Sequence, residues 1–277
     1  TCAYITHWIR RSECGDIALA GGVFANVLLN QKIAMLSEVT SMWVLPHMGD
    51  GGLALGGALG YAKTRPKAIE NIYWGPQHTS IDTLRAIQRH KSKVLRNDII
   101  VEAARILGNG GIIARSSGGM EWGPRALGNR SVLASVSDPN INTVLNQKLK
   151  RSEFMPFAPM VRTEDARRYF KNIEAYGRCP RFMTTCVDVT EVFRTDAPAA
   201  VHIDGTARPQ IVHRESQPEI HALLTAMYEQ TGIGVLINTS FNLHEEPIVC
   251  TPDESIRAAK EANLDALWIS DQLLLFL

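Results

Sequence analysis

The sequence predicts a two-domain protein of the α/β and α+β classes, and three observations carry that reading. The chain has 277 residues, more than the roughly 100–200 usual for one domain. Strand-like and helix-like segments alternate along most of it. Residues 66–80, PKAIENIYWGPQHTS, mix proline, glycine and polar side chains without periodicity, which marks a connection. The linker is placed near 73–78 and divides residues 1–72 from 73–277.

Residues 16–20 form a short apolar strand running into Gly21-Gly22, and 24–35 has helical spacing. Residues 41–45 form a second strand that ends at Pro46. After Gly49-Asp50-Gly51-Gly52, the run LALGGALGYAK predicts a helix whose small residues suit close packing on a neighbour. The first apolar segment, DIALAGGVFANVLL, looks like the middle of a domain, and the chain begins with Thr1, so an upstream portion is expected to be missing.

Beyond the linker, 80–90 and 98–107 read as helices and 111–116 as a strand. Asp138-Pro139 opens a helix through Lys150, with the aspartate as N-cap and proline in the first turn. Residues 235–238 make a buried strand that stops at NTSFN. Thr251-Pro-Asp-Glu254 is a capping box, in which hydroxyl and carboxylate satisfy amide donors reciprocally. The helix it starts leads to the strand ALWIS. Repeats and low-complexity segments are absent.

Composition excludes several classes. With 45% hydrophobic residues the chain can bury real cores. A net charge of +1, from 29 basic and 28 acidic residues, gives no global field toward nucleic acid or an anionic membrane, so anion binding must be local. No apolar run approaches the ~18 residues of a membrane span, and no signal segment begins the chain. The five cysteines are scattered without a C-x-x-C pair, which fits a reducing, cytoplasmic setting.

Candidate chemistry lies in five places. In LAGGVFAN, paired glycines between strand and helix let backbone amides approach a ligand; a tight turn needing positive φ is the plainer account. In PHMGDGG, Asp50 sits at a strand-to-helix junction, as helix cap or as ligand of a hard cation. MEWGPRALGNRS sets Arg125 and Arg130 in a loop fixed by glycine and proline, where their forks suit phosphate; ion pairs with Glu121 and Glu153 are the alternative. NQKLKRSEFMPFAP adds Lys148, Lys150 and Arg151, which also read as a solvated helix end. NTSFN places hydroxyls and amides at a strand end, where α/β ligand sites form and where a plain turn is equally at home.

LAGGVFANVLLN, PHMGDGGLALGGALGYA, MEWGPRALGNRSVLA, FMPFAP and LINTSFNLHEEPIV, in that order, resemble the O-carbamoyltransferases of nodulation-factor, aminoglycoside and cephalosporin tailoring. The resemblance covers nearly the whole chain from about Asp16. It implies the C-terminal part of an actin-like, ATP-binding domain in 1–72, followed in 73–277 by a YrdC-like domain similar to threonylcarbamoyl-adenylate synthases. The second would make carbamoyl-adenylate from carbamoyl phosphate and ATP, by attack of carbamate oxygen on the α-phosphorus. The first would transfer the carbamoyl group to a hydroxyl of a small molecule or sugar. No membrane partner is implied, near-neutral charge argues against nucleic acid, and a homodimer is allowed.

By the same resemblance, Gly21, Gly22, Val23, Asn26 and Gly49 contact nucleotide, and Asp50 ligates a divalent metal, iron or another, beside the Mg that accompanies ATP. Arg125, Arg130, Lys150 and Arg151 form one cationic pocket for carbamoyl phosphate and the ATP phosphates, with Asn238, Ser240 and Asn242 as its polar wall. Two departures stand out. Met155 replaces an arginine common before PFAP, and the H-x-x-x-H type motif that completes the metal site does not occur. The chain is therefore expected to bind carbamoyl phosphate without completing transfer alone.

Three rivals are weighed. A hydrogenase-maturation carbamoyltransferase needs cysteine-rich zinc fingers and the opposite domain order. A non-catalytic RNA-binding YrdC-like module would want more positive charge. An actin-like phosphotransferase leaves GPRALGNRS and NTSFN without a role.

Overall fold

Two parallel strands open the fold in the computed structural model, which describes residues 1–63, 67–95, 98–150 and 157–276. Helix α1 (Cys2–Ser12) precedes strand β1 (Asp16–Leu19); α2 (Val27–Ala34) then crosses over to β2 (Ser41–Val44), and α3 (Gly52–Ala62) follows. Leu19 lies opposite Val44 in the parallel register. The single helix expected at 24–35 is divided. A 3-10 turn, Gly22–Ala25, comes first, and the Asn26 side chain then caps α2 by accepting from the Leu29 amide at 3.0 Å.

Helix α3 forms where its sequence predicts, yet the close neighbour does not follow among the described residues. Only Gly52 of this helix is buried, and Gly56, Gly57 and Gly60 face open space. Small side chains permit close approach; they do not supply the partner.

The rest of the chain builds on an eight-stranded mixed sheet. In chain order come α4 (Ser80–Arg89), β3 (Lys93–Leu95), α5 (Ile99–Gly108), β4 (Ile112–Ser116), β5 (Arg130–Ser135), α6 (Ile141–Lys148), β6 (Ala158–Arg162) and α7 (Ala166–Tyr169). They are followed by β7 (Val187–Asp188), α8 (Glu191–Asp196), β8 (Thr206–Ala207), β9 (Gln210–Val212), α9 (Pro218–Thr231), β10 (Val235–Ser240), α10 (Pro252–Glu261), β11 (Ala266–Ile269) and β12 (Gln272–Leu275). The sheet order is β3-β12-β11-β4-β5-β10-β6-β9, and β7 pairs separately with β8. Strands β4, β6 and β11 are buried along their whole length, as expected of a sheet covered on both faces. Helices α5 and α9 cover one face over Leu107, Leu133, Leu224 and Leu236.

Two local expectations shift. Asp138 does not cap a helix. Its carboxylate accepts from the Asn140 amide at 2.9 Å, an Asx turn that delays α6 until Ile141. Strand β10 does not stop at Asn238, because pairing with β5 continues to Ser240 opposite Ser131.

The expected linker is irregular but not free. Trp122 donates to the Ile72 carbonyl at 2.7 Å, Gly75 to Met120 at 2.9 Å, and Met120 to Pro76 at 3.0 Å. Burial of Ile72 obliges the neighbouring backbone groups to find such partners. The two sheets also share one apolar cluster, in which Ile33, Met42 and Val44 join Tyr176 and Cys179. The Cys186 amide meets the Val27 carbonyl at 3.1 Å, and Asn30 Nδ2 meets the Thr184 carbonyl at 2.7 Å.

Candidate functional site: an anion cavity between Arg125 and Arg208

The loop between β4 and β5 is wound around a carboxylate. Glu121 is buried, and its Oε1 accepts from the amides of Leu127 at 2.6 Å, Asn129 at 2.9 Å and Arg130 at 3.3 Å. Burial raises its pKa against the pull of these donors. Arg115 supports the loop from β4 through the Gly128 carbonyl, Asn129 Oδ1 and Glu219. Gly128 has a φ of 108°, open to glycine, and a Cβ there would lie 2.7 Å from Gln217 Nε2.

The two arginines of this loop part company. Arg130 begins a buried strand, and its Nη1 donates to the carbonyls of Ser117, Gly118 and Asn129 at 2.9–3.3 Å. It lines a small cleft with His78, Ser117 and Ser270. Arg125 lines a different cavity, so the single pocket anticipated for both is corrected by the strand that carries Arg130 away. Neither is ion-paired to Glu121, whose bonded oxygen serves the backbone, and Glu153 lies outside the described residues.

The Arg125 cavity measures about 90 Å³ and is walled by Ala126, Ala158, Met183, Arg208, Asn238 and Ser240. A water needs about 10–15 Å³ on such a measure, so a small polyatomic anion fits and a whole nucleotide does not. Arg125 and Arg208 are half-buried. Each has its Nε sealed from solvent with no hydrogen-bond partner, and no carboxylate pairs with either among the described residues. Burial lowers the pKa of both; for Arg208 burial and then the charge of Arg125 bring it down to about 10. Beside them, burial pushes the Cys186 thiol up to about 11, so it stays a neutral neighbour. Two desolvated cations facing each other are a standing cost that an anion would offset.

Asn238 forms the polar wall, buried on β10. Its Nδ2 donates to the Ala126 carbonyl at 2.9 Å and to Gln210 Oε1 at 2.7 Å, while Oδ1 is buried without a partner. Ser240 shares the cavity. Asn242 does not; its Nδ2 holds a turn through the carbonyls of Leu243 and Glu246. Lys150 is exposed with a φ of 56° at the end of α6, outside the cavity lining, and Lys148 donates to the Asn263 carbonyl. Arg151 and Met155 lie outside the described residues.

The residue that sequence reasoning missed is Arg208. Its local signal is a lone cation in the small and apolar run GTARPQIV, which gains meaning only when β9 is placed beside the Arg125 loop. A larger cavity of about 950 Å³, lined by Trp43, Leu45, Leu55, Leu59, Ile69 and Trp74, is chiefly apolar. None of the buried partnerless polar atoms belongs to its lining. Size alone does not make it the reactive site.

At the small sheet, the two glycine turns follow the carboxyl ends of β1 and β2, where parallel sheets place ligand sites. The Gly21 amide donates to the Met48 carbonyl at 2.6 Å, joining the turns. Gly21 has a φ of 114°, and a Cβ on Gly21, Gly22 or Gly49 would meet open space. Val23 is exposed, and Asn26 is engaged as the cap of α2. Asp50 is exposed and is not the cap of α3, a position held by Gly51. His47 stands edge-on to Trp122 at 4.9 Å and links this turn to the Arg125 loop.

Comparison with known families now bears on these motifs. The carbamoyltransferase C-terminus model matches residues 104–275, and the carbamoyltransferase N-terminus model matches 7–59. The chain belongs to the carbamoyltransferase family. Similar proteins include an uncharacterized protein of Methanocaldococcus jannaschii, 38% identical over 93% of this chain and 44% of its own length. Nodulation protein NolO of Bradyrhizobium diazoefficiens is 35% identical over 95% of this chain and 50% of its own. The 3'-hydroxymethylcephem-O-carbamoyltransferase of Amycolatopsis lactamdurans is 30% identical over 94% and 48%. The chain thus spans about half the length of these relatives. The metal that the resemblance implies does not fit the residues present: among the described residues no group of three or more His, Cys, Asp or Glu gathers at Asp50 or elsewhere. Among the described residues no helix is long and apolar enough to cross a membrane.

Proposed function

We propose that this chain carries the donor-binding and adenylating half of an ATP-dependent O-carbamoyltransferase. In this reading an actin-like portion lies in 1–72 and a YrdC-like domain in 73–277. One observation carries the proposal: Arg125 and Arg208 line one small cavity, each with a buried Nε that has no acceptor and with no carboxylate partner among the described residues, beside a buried carbonyl oxygen on Asn238 that also lacks a partner. Two unsatisfied cations and one unsatisfied acceptor complement a small molecule that joins a phosphoryl anion to an amino donor, as carbamoyl phosphate does.

Loss of phosphate from carbamoyl phosphate to water leaves carbamate. Its oxygen attacks the α-phosphorus of ATP, the new O–P bond forms, and pyrophosphate departs. An acceptor hydroxyl then attacks the carbamoyl carbon, gives up its proton, and AMP leaves with its electron pair. Fixed guanidiniums stabilise the charge gathering on phosphoryl oxygens without reorganising. The Gly21 amide is taken by the Met48 carbonyl, so contact of the turns at Gly22 and Gly49 with a nucleotide is a role that rests on the family resemblance. No step is routed through a metal.

Arg125→Ala should weaken carbamoyl phosphate binding and abolish carbamoyl-dependent ATP–pyrophosphate exchange. Exchange at the original rate in that variant contradicts the assignment.

A further inference from the structure

The orientation of the Asn238 amide is not free. Its Nδ2 faces the Ala126 carbonyl, which can only accept, so the amide cannot be flipped without setting two oxygens against each other. Gln210 locks the same choice from the other side. Its Nε2 donates to the Leu127 carbonyl at 2.8 Å and to Gln217 Oε1 at 2.9 Å, which leaves its Oε1 to accept from Asn238. Gln217 Nε2 also ends on the Leu127 carbonyl. Three buried amides from β10, β9 and the start of α9 therefore form a ladder oriented by two backbone carbonyls of the Arg125 loop.

The consequence of that ladder is one uncommitted atom. Every donor named in it has an acceptor, and Asn238 Oδ1 is left as a buried acceptor with none. A buried carbonyl without a donor carries an unrelieved desolvation cost, so a ligand bringing an N–H to this wall relieves a penalty that a ligand bringing a methyl does not.

Resting on the proposed donor site, we infer that Asn238 Oδ1 is the element that distinguishes a carbamoyl donor from an acyl donor of the same shape, by accepting from the carbamoyl amino group. The guanidiniums of Arg125 and Arg208 hold the phosphoryl end of either ligand without distinguishing the two. Gln210 and Gln217 are positioning residues that act through Asn238.

The test uses stable isosteres: phosphonoacetamide, which carries NH2, acetonylphosphonate, which carries CH3 at that place, and inorganic phosphate, each titrated calorimetrically into the chain. The expected result is at least ~10-fold tighter binding of phosphonoacetamide than acetonylphosphonate, since a site that hydrogen-bonds an N–H rejects the analogue lacking it. In Asn238→Leu the ratio should fall to near unity while phosphate affinity changes by less than about threefold. Gln210→Met, which keeps Asn238 but frees its amide, should lower the ratio in part. Equal affinity of the original chain for the two isosteres overturns this inference even if phosphate binds. A ratio unchanged in both variants overturns it as well. Absence of all binding, phosphate included, overturns the anion site itself.

Discussion

Replacing Arg208 with methionine separates a ligand site from a structural one. The side chain has no acceptor for its buried Nε, no carboxylate partner among the described residues, and a second guanidinium as neighbour. In the free protein the substitution removes a desolvated cation and keeps most of the volume, so Tm should hold or rise. Ligand-linked stability should move the other way. A ligand at one hundred times its Kd stabilises by about 2.7 kcal/mol, which for a chain of this size is a rise of about 5–10 °C. A hydrogen bond to a charged group contributes about 1.5–3 kcal/mol. Its loss weakens binding about 10-fold or more, and the stabilisation at the same concentration falls to about 1.4 kcal/mol or less. Differential scanning calorimetry with and without pyrophosphate reads both quantities. A ligand-induced shift of equal size in the two proteins, or a loss of about 3 kcal/mol in the free variant with the shift intact, refutes the reasoning.

Three further outcomes are expected. Glu121→Ala strips the acceptor from three buried amides and should cost about 3 kcal/mol or more, measured by urea unfolding, whereas Glu121→Gln keeps an accepting oxygen and should cost less than half as much. Arg130→Lys loses the guanidinium whose Nη1 donates to the Ser117, Gly118 and Asn129 carbonyls and whose Nη2 donates to those of Pro76 and Cys250. It should lower Tm yet leave the phosphate-induced rise unchanged, since Arg130 lies outside the anion cavity. Glu254 accepts from the Thr251 and Cys250 amides, which hold its pKa below the usual carboxylate value. Because the folded pKa is depressed, this contribution is present above the unfolded value near 4.3 and fades as pH falls through the folded one. The stability difference between the original chain and Glu254→Gln should therefore shrink in acid-titrated unfolding.

What the sequence determined by itself was local. The Thr251–Glu254 box depends on partners within about four residues, so its signal sits in one short window. The order of five motifs was enough to identify the family. The composition of the site was only half legible, because Arg125 and Arg208 are distant in sequence and meet through the placement of β9 and β10 about the loop. Residue type promised that Arg125 and Arg130 would share a pocket; the backbone decided otherwise, since Arg130 enters a strand whose side-chain direction is set by pairing with β4 and β10. The free oxygen of Asn238 belongs to the tertiary structure as well. An amide presents a donor and an acceptor with equal ease, and only the fixed carbonyl of Ala126 and the glutamines behind it choose which one is left over.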